Sequence, residues 1–180
     1  MVDKSLNIRS ENCSTNCIVN AGNPDNHVIN VSADYVNIGG FTVKGAIGDS
    51  KAGILLSKGY CNVLNNTLSD NYFGILLRYS FNTSIINNNV SNNVEGIWLS
   101  YSNNTIRNNS ANNNEEGIVL WGATTAKLEI IMWVTMADMV FISIYLDIIL
   151  LIRCLQNHHQ NLYSNILILQ ITNPYNSPKR

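Results

Sequence analysis

The sequence predicts an all-β fold, a parallel β-helix of about four to five coils followed by a non-repeat apolar tail. Three observations lead to this prediction. The first is a repeat of Gly, Ile, one further residue and Leu, which starts at Gly53, Gly74, Gly96 and Gly117. The glycines are 21, 22 and 21 residues apart. A period in this range is typical of solenoids, whose coils must stack to bury a common face.

Pairs of asparagines are the second observation. They stand eight and nine residues before three of the glycines, at 65–66, 87–88 and 108–109. Asn tolerates the left-handed backbone conformation and hydrogen-bonds its own backbone, so it suits a tight corner between strands. When equivalent corners stack about 4.8 Å apart, their side-chain amides can also bond to one another. We therefore interpret the asparagines as structural corner residues.

Short apolar runs between these corners are the third observation. They alternate apolar and polar residues, and they are too short and too rich in Asn and β-branched residues for helices. The apolar positions recur eleven and six residues before the glycines, at Val63, Ile85 and Ile106 and at Leu68, Val90 and Ala111. Each coil is therefore predicted to hold two or three strands.

The residues before the first repeat are also predicted to form strands, at 2–9, 18–19, 28–31 and 35–38. Aligning 35–43 with 60–68 matches Ile38 with Val63, so the repeat begins before Gly53. Residues 45–51 are then an insertion, which in a solenoid bulges from a corner. Because the chain opens directly into a strand, we expect the β-helix domain, 1–122, to be truncated at its N terminus.

Composition indicates one domain and argues against several kinds of partner. The chain has 180 residues, of which 46% are hydrophobic and 13% charged, and its net charge is -1. No basic stripe indicates binding to nucleic acid. The four cysteines, Cys13, Cys17, Cys61 and Cys154, lack a paired metal-ligand spacing, and a Cys13–Cys17 disulfide is one interpretation. We expect no metal and no cofactor, and no signal segment follows Met1.

The character of the sequence changes after Gly122. The tail, 123–180, contains no Gly and has a strongly apolar stretch. A transmembrane helix over Ile130–Ile152 is one interpretation, but Asp138 and Asp147 would each cost about 2.5–3.5 kcal/mol on insertion. A disordered or helical tail is a second interpretation. A shifted reading frame is a third interpretation. If the last base of each codon is read with the first two bases of the next, the codons that join Met or Trp to their neighbours in 132–140 encode Val and Gly. This frame also restores a Gly 22 or 23 residues after Gly117.

The segments 2–10 and 33–38, together with the Asn-Asn and Gly-Ile-x-Leu coils, resemble the NosD-type right-handed, single-stranded parallel β-helix proteins, also described as carbohydrate-binding and sugar-hydrolase repeats. The resemblance spans 2–122. It implies an extracellular or cell-surface module, as in methanogenic archaea, that is structural and adhesive, with glycan binding. A polysaccharide lyase or hydrolase is the alternative, because this solenoid hosts many functions. A gene fragment without a function of its own is another.

An outward column on the Gly-Ile-x-Leu strands is the predicted ligand site. Ile and Leu should point inward and the residue between them outward. The column consists of Leu55, Leu76, Trp98 and Val119, beside Ser57, Arg78, Ser100 and Trp121. Aromatic rings stack on sugars and polar groups bond to hydroxyls, so the predicted ligand-binding residues are Trp98, Trp121, Arg78, Leu76 and Ser100. We expect polysaccharide or surface-layer components as partners. The alternative is an interface, with self-association through this column or through open coil ends.

Three further sets of residues are of types that can carry chemistry. Glu95 and Glu116 should lie one coil apart, where charge repulsion raises the pKa of one carboxyl. The pair could hold a cation or act as a catalytic acid and base. The alternative is that they are two solvated surface charges. Seven Asn-x-Ser/Thr motifs are candidates for glycosylation, at Asn12, Asn30, Asn65, Asn82, Asn89, Asn103 and Asn108. His27 stands alone and His158 and His159 lie in the tail, so no metal site is predicted.

Overall fold

The structure is a computed structural model that describes residues 1–11, 14–100, 103–123, 127–132, 139–144, 148–155 and 164–171. Side chains are described within these ranges as far as Trp121. All regular elements in the described ranges are strands, so the predicted all-β class is confirmed.

The strands form three sheets, and from β1 to β15 each coil contributes one strand to each sheet in turn. Sheet 1 contains β1 (Asn7–Arg9), β4 (Asn37–Gly39), β7 (Asn62–Leu64), β10 (Ser84–Ile86), β13 (Thr105–Arg107), β16 (Lys127–Met132), β18 (Ile148–Leu155) and β19 (Ser164–Ile171). Sheet 2 contains β2 (Ile18–Asn20), β5 (Thr42–Lys44), β8 (Thr67–Ser69), β11 (Asn89–Ser91) and β14 (Ser110–Asn112). Sheet 3 contains β3 (Ile29–Val31), β6 (Ala52–Leu56), β9 (Phe73–Arg78), β12 (Glu95–Ser100), β15 (Glu116–Ala123) and β17 (Met139–Ile144).

Equivalent residues of successive coils stack in register, which makes the fold a parallel β-solenoid of about five turns. In sheet 1, for example, Val63 pairs with Ile85 and Ile85 with Ile106. The middle residue of each three-residue strand from β4 to β14 faces the interior and is buried. Burial of such a side chain stabilises the fold by about 1.5–3 kcal/mol, so the coils are held together chiefly by this stacked apolar interior.

The repeat glycines lie in one rank on successive coils of sheet 3. A Cβ on Gly53 would lie 3.0 Å from the carbonyl oxygen of Gly74, and a Cβ on Gly74 only 2.6 Å from that of Gly96. Real Cβ atoms essentially never lie within 3.0 Å of a backbone oxygen, so the close approach of the coils requires Gly at position 74, while at position 53 a Cβ would make a tight contact.

Asparagine pairs form the corner between sheets 1 and 2, as predicted. The first residue of each pair, Asn65, Asn87 and Asn108, has a left-handed backbone with φ of 56°, 56° and 53°. The second residue of each pair is buried and hydrogen-bonds to its counterpart on the next coil. The backbone N–H of Asn66 donates to Asn88 Oδ1 over 3.0 Å, and that of Asn88 donates to Asn109 Oδ1 over 2.9 Å. The amides therefore satisfy the backbone groups that the corners bury.

A second asparagine ladder stands at the corner between sheets 2 and 3. Here Asp70, Asn92 and Asn113 have φ of 56°, 56° and 57°. The buried residues that follow them form the ladder, in which Asn71 Nδ2 donates to Asn93 Oδ1 over 3.2 Å and Asn93 Nδ2 donates to Asn114 Oδ1 over 3.1 Å. The sequence prediction did not distinguish this ladder from the first.

The insertion predicted at 45–51 lies against the loop that precedes β3. The backbone N–H of Gly48 donates to the carbonyl oxygen of Pro24 over 3.0 Å, and the side chain of Asp25 lies next to Gly48. The two loops thus cover one another at the corner where sheet 3 begins, as expected for an insertion in a solenoid.

The described segments of the tail are strands. β16 and β18 continue sheet 1 in parallel, β17 continues sheet 3, and β19 pairs antiparallel with β18. Within the described ranges, no helix is long and apolar enough to cross a membrane, and the described parts of Ile130–Ile152 are strands. The domain boundary at 122 and the shifted reading frame stay predictions.

Candidate functional site

The outer face of sheet 3 is where the sequence predicted a ligand site. Its strands β6, β9, β12 and β15 have five to eight residues, whereas those of sheet 2 have three. Pairing stacks Leu55 on Leu76, Leu76 on Trp98 and Trp98 on Val119, in one column. The Ile and Leu on either side belong to the interior cluster, so the predicted inward and outward directions are correct.

The column is less exposed than predicted. Leu55, Leu76 and Val119 are buried, and so is Ser100, whose hydroxyl donates to the carbonyl oxygen of Leu77 over 3.4 Å. Leu76 and Ser100 therefore cannot offer the exposed contacts that the sequence suggested. Trp98 is half-buried, while Arg78 and Trp121 are exposed. Whether these residues bind a ligand stays a prediction.

Aromatic side chains explain this burial. Ala52, Leu55, Phe73 and Leu76 form a second apolar cluster outside the coil interior, and Tyr72 and Trp98 pack against it. The Phe73 ring lies 5.0 Å from Tyr72 and 6.1 Å from Trp98, centroid to centroid, in tilted and edge-on arrangements. Such ring pairs contribute about 0.5–1.5 kcal/mol beyond their buried area. The sequence contains the signal, because Tyr72 and Phe73 stand directly before Gly74, but the predicted column did not include these two residues.

Glu95 and Glu116 are paired on neighbouring coils, as predicted. Glu95 lies between Phe73 on β9 and Glu116 on β15. Burial raises the pKa of Glu95 to about 7, and the negative charge of Glu116 adds to the shift. One carboxyl oxygen, Oε2, is buried without a hydrogen-bond partner. Glu95 is therefore protonated for much of the time near neutral pH, unlike an ordinary surface glutamate.

A groove of about 710 Å³ runs along the neighbouring corner. Its lining combines amides, carboxylates and a ring: Ile47, Asp70, Asn71, Tyr72, Asn92, Asn93, Val94, Asn113, Asn114 and Glu115. We call it the corner groove. Burial raises the pKa of the Tyr72 phenol, with contributions from Asp49, Glu95, Glu115 and Glu116. The corner groove thus has a polar, negatively charged wall beside an aromatic cluster.

Most of the candidate glycosylation sites are accessible. Asn30 is partly buried, Asn12 lies outside the described residues, and the exposed ones are Asn65, Asn82, Asn89, Asn103 and Asn108. Three of the exposed asparagines, Asn65, Asn82 and Asn108, occupy left-handed corner positions. Their modification stays a prediction.

The histidine and the thiols of the described region do not converge. His27 Nδ1 accepts a hydrogen bond from the backbone N–H of Ala52 over 3.0 Å, and burial, followed by the charges of Lys51 and Arg78, lowers its pKa. Cys61 is buried in the interior, as expected, and burial raises its pKa. Cys17 has a free thiol, and Cys13 lies outside the described residues. In the part of the chain with described side chains, no three His, Cys, Asp or Glu residues are placed to hold a metal ion.

Comparison with protein families gives a match over the coils. The family described as "Periplasmic copper-binding protein (NosD)" matches residues 4–132, more than half of the chain. No curated protein and no solved structure matches. Copper sites need converging imidazole, thiolate or thioether ligands. The described side chains do not supply such a set, so they do not fit a bound copper ion.

Proposed function

Because the chain belongs to the NosD family of β-helix proteins, described as periplasmic copper-binding, we propose that it is a periplasmic or cell-surface module whose role is adhesion to a glycan. The fold supports this role, because a solenoid offers a stiff, extended surface on which contacts repeat once per coil. The outer face of sheet 3 and the adjoining corner groove are the proposed binding surface.

One observation carries the proposal, the aromatic cluster of Tyr72, Phe73 and Trp98 at the edge of the corner groove. Sugars present an apolar ring face and a rim of hydroxyl groups. The half-buried indole of Trp98 can stack on the apolar face of a sugar ring. The amides of Asn92 and Asn113, and the carboxylates of other groove residues, can bond to the hydroxyl groups. The arrangement therefore combines both elements of sugar recognition on one surface.

Replacement of Trp98 tests the proposal. We expect Trp98→Ala to weaken binding of the recognised polysaccharide about tenfold or more, because an aromatic anchor is lost, while Trp98→Phe keeps most of the affinity. Affinity electrophoresis against a polysaccharide panel measures the effect, with thermal unfolding to verify the fold. If no polysaccharide binds the wild type, or if Trp98→Ala binds as tightly, the proposal is wrong. Higher solubility of Trp98→Ala without any glycan effect would favour the interface instead.

A second function, hydrolysis of a polysaccharide, is favoured by Glu95. A carboxyl with a pKa of about 7 is suited to donate a proton to a glycosidic oxygen near neutral pH, and the neighbouring Glu116 carboxylate could act as the second group of a glycosidase pair. Release of reducing sugars from any member of a panel of neutral polysaccharides, pectin and alginate, abolished in Glu95→Gln, would support it. Absence of turnover across the panel, with binding retained, would leave adhesion as the role.

A further inference from the structure

An exposed aromatic ridge lies at a different place, the corner between sheets 3 and 1. Tyr35, Tyr60, Tyr79 and Phe81 expose 60%, 43%, 74% and 44% of their surface. The rings of Tyr35 and Tyr60 stack with centroids 5.0 Å apart and planes 13° from parallel, and Phe81 meets Tyr60 edge-on at 5.3 Å. We call these four residues the tyrosine ridge. It is separated from the corner groove by the width of sheet 3.

The tyrosines are held in an unfavourable backbone conformation. Tyr35, Tyr60 and Tyr79 have φ of 59°, 55° and 57°, in the left-handed region that bulky residues avoid. Such strain costs about 1–3 kcal/mol per residue. On the next coil the position equivalent to Tyr60 is Asn82, with φ of 50°, which adopts this conformation easily.

Ring stacking offsets part of that cost. A stacked pair contributes about 0.5–1.5 kcal/mol. Even the upper of these values is less than the lower estimate of the backbone strain of two tyrosines, about 2 kcal/mol. An asparagine would satisfy the corner without strain, as it does at Asn82. Tyr occupies these corners although Asn would avoid the backbone strain, which indicates that the tyrosine side chains have a function. These side chains are exposed to solvent, where they can contact a ligand.

Of the charged residues within two positions of a ridge residue in the sequence, two are cations, Lys58 and Arg78, and one is a carboxylate, Asp34. Lys58 and Arg78 are exposed and stand next to the ridge in sequence, two residues before Tyr60 and one before Tyr79. The nearby carboxylate, Asp34, accepts a hydrogen bond from the backbone N–H of Gly59 over 2.8 Å. The carboxylates of Glu95, Glu115 and Glu116 lie instead toward the corner groove. An anionic ligand is therefore favoured at the ridge and disfavoured at the groove.

We propose that the tyrosine ridge binds an anionic polysaccharide of the uronic acid type, whose sugar rings contact the tyrosines while Lys58 and Arg78 pair with its carboxylates. The inference rests on the proposed function, since it assumes a glycan-binding module. Tyr35 and Tyr60 occupy equivalent positions on two neighbouring coils, with ring centroids 5.0 Å apart, so a regular linear polymer lying along the axis makes equivalent contacts on these two coils. Aromatic stacking and charge pairing then act on the same chain.

The double variant Tyr35→Asn with Tyr60→Asn separates binding from folding. Asn suits the left-handed corner, so we expect the melting temperature to be unchanged or higher. Binding of polygalacturonate, measured by isothermal titration calorimetry, should weaken about tenfold or more, because two anchors are lost. The matched double Tyr→Phe variant keeps both rings and should bind nearly as the wild type. Arg78→Gln should weaken binding and reduce its dependence on salt.

The outcomes distinguish this inference from the proposed function. Wild-type protein that binds a neutral polysaccharide in a Trp98-dependent manner, but not polygalacturonate, would overturn the ridge inference alone. Polygalacturonate binding that survives the double Asn variant would do the same. Absence of binding to every glycan would overturn both. A dimer that dissociates in the double Asn variant, without any glycan binding, would show that the ridge contacts a second copy of the chain.

Discussion

Single asparagines fix the corners of the coils. Asn88 accepts hydrogen bonds from Asn66, and its side-chain Nδ2 donates to Val63 and to Asn109. The Asn88 amide therefore satisfies backbone groups of the preceding coil and bonds to the amide side chain of the next coil. Because these groups are buried, loss of one amide leaves several donors and acceptors without partners.

Replacement of Asn88 by Ala tests this role. We expect the free energy of unfolding to fall by about 2–4 kcal/mol, since a buried, unsatisfied polar group costs about 1–3 kcal/mol. The matched control is Asn89→Ala, because Asn89 is the exposed neighbour, and it should change stability by less than about 0.5 kcal/mol. Urea unfolding of the three proteins measures the difference. Equal effects at the two positions would contradict the ladder.

Glu95 should make stability depend on pH. Its folded pKa of about 7 exceeds the ordinary value of 4.5, so the folded state binds more protons between these values. Stability from this group is fully present below pH 4.5 and is lost as pH rises through 7. After allowance for solvent screening, the loss is about 1–2 kcal/mol.

Glu95→Gln removes this titration, because a neutral amide resembles the protonated carboxyl. Urea unfolding at pH 5 and pH 8 should show the wild type weaker at pH 8, and the variant less sensitive to pH and more stable than the wild type at pH 8. An identical pH dependence in both proteins would show that Glu95 titrates as an ordinary surface group.

For single residues, the sequence predicts the structural role correctly where the repeat period of the coils determines the residue's position. The repeat predicts the left-handed corner at Asn65, the ladder through Asn66 and the pairing of Glu95 with Glu116. It fails at Leu76 and Ser100, because alternation gives the direction of a side chain and not what covers it. The tyrosine ridge was missed for a related reason, since Tyr is not expected at a left-handed corner.

At the scale of elements, β6, β9, β12 and β15 of sheet 3 are longer than the three-residue strands between them and have an apolar outer face. The glycines at their start allow neighbouring strands to approach closely. This close approach positions the residue before each glycine, Phe73 or Glu95, beside its counterpart on the next coil. The candidate site therefore depends on the glycine rank.

Gly74→Ala should be strongly destabilising. Its Cβ would lie 2.6 Å from the carbonyl oxygen of Gly96, so the two strands must separate. We expect a loss of more than about 2 kcal/mol in the free energy of unfolding. Gly22→Ala is the matched control, because no atom lies within 4 Å of its added Cβ, and its stability should be unchanged or slightly higher. Similar melting temperatures for both variants would contradict the close approach.

At the scale of the whole molecule, stability is approximately a sum over coils and the interfaces between them. The sequence predicts this architecture over 1–122 because its repeat is regular there. In the tail the repeat is lost, and an apolar run without punctuation does not distinguish a strand from a helix. The strands β16 to β19 could not be predicted for that reason.

The proposed binding surfaces also belong to this scale, since each combines residues from several coils. The corner groove depends on Asp70, Asn92 and Asn113, and the ridge on Tyr35 and Tyr60. Neither surface would exist if the coils were out of register. Both surfaces therefore depend on in-register stacking of the coils.

Disulfide cross-linking measures the register of neighbouring coils. Thr67 and Asn89 are paired on neighbouring strands of sheet 2, whereas Ser91 is paired with Ser69 and lies farther along the strand from Thr67. Parallel neighbours lie about 4.8 Å apart, within the range for a disulfide. Under mild oxidation, with bonds mapped by mass spectrometry, Thr67→Cys with Asn89→Cys should cross-link rapidly and Thr67→Cys with Ser91→Cys should not. The opposite preference, or no cross-link in either protein, would contradict the stacked solenoid.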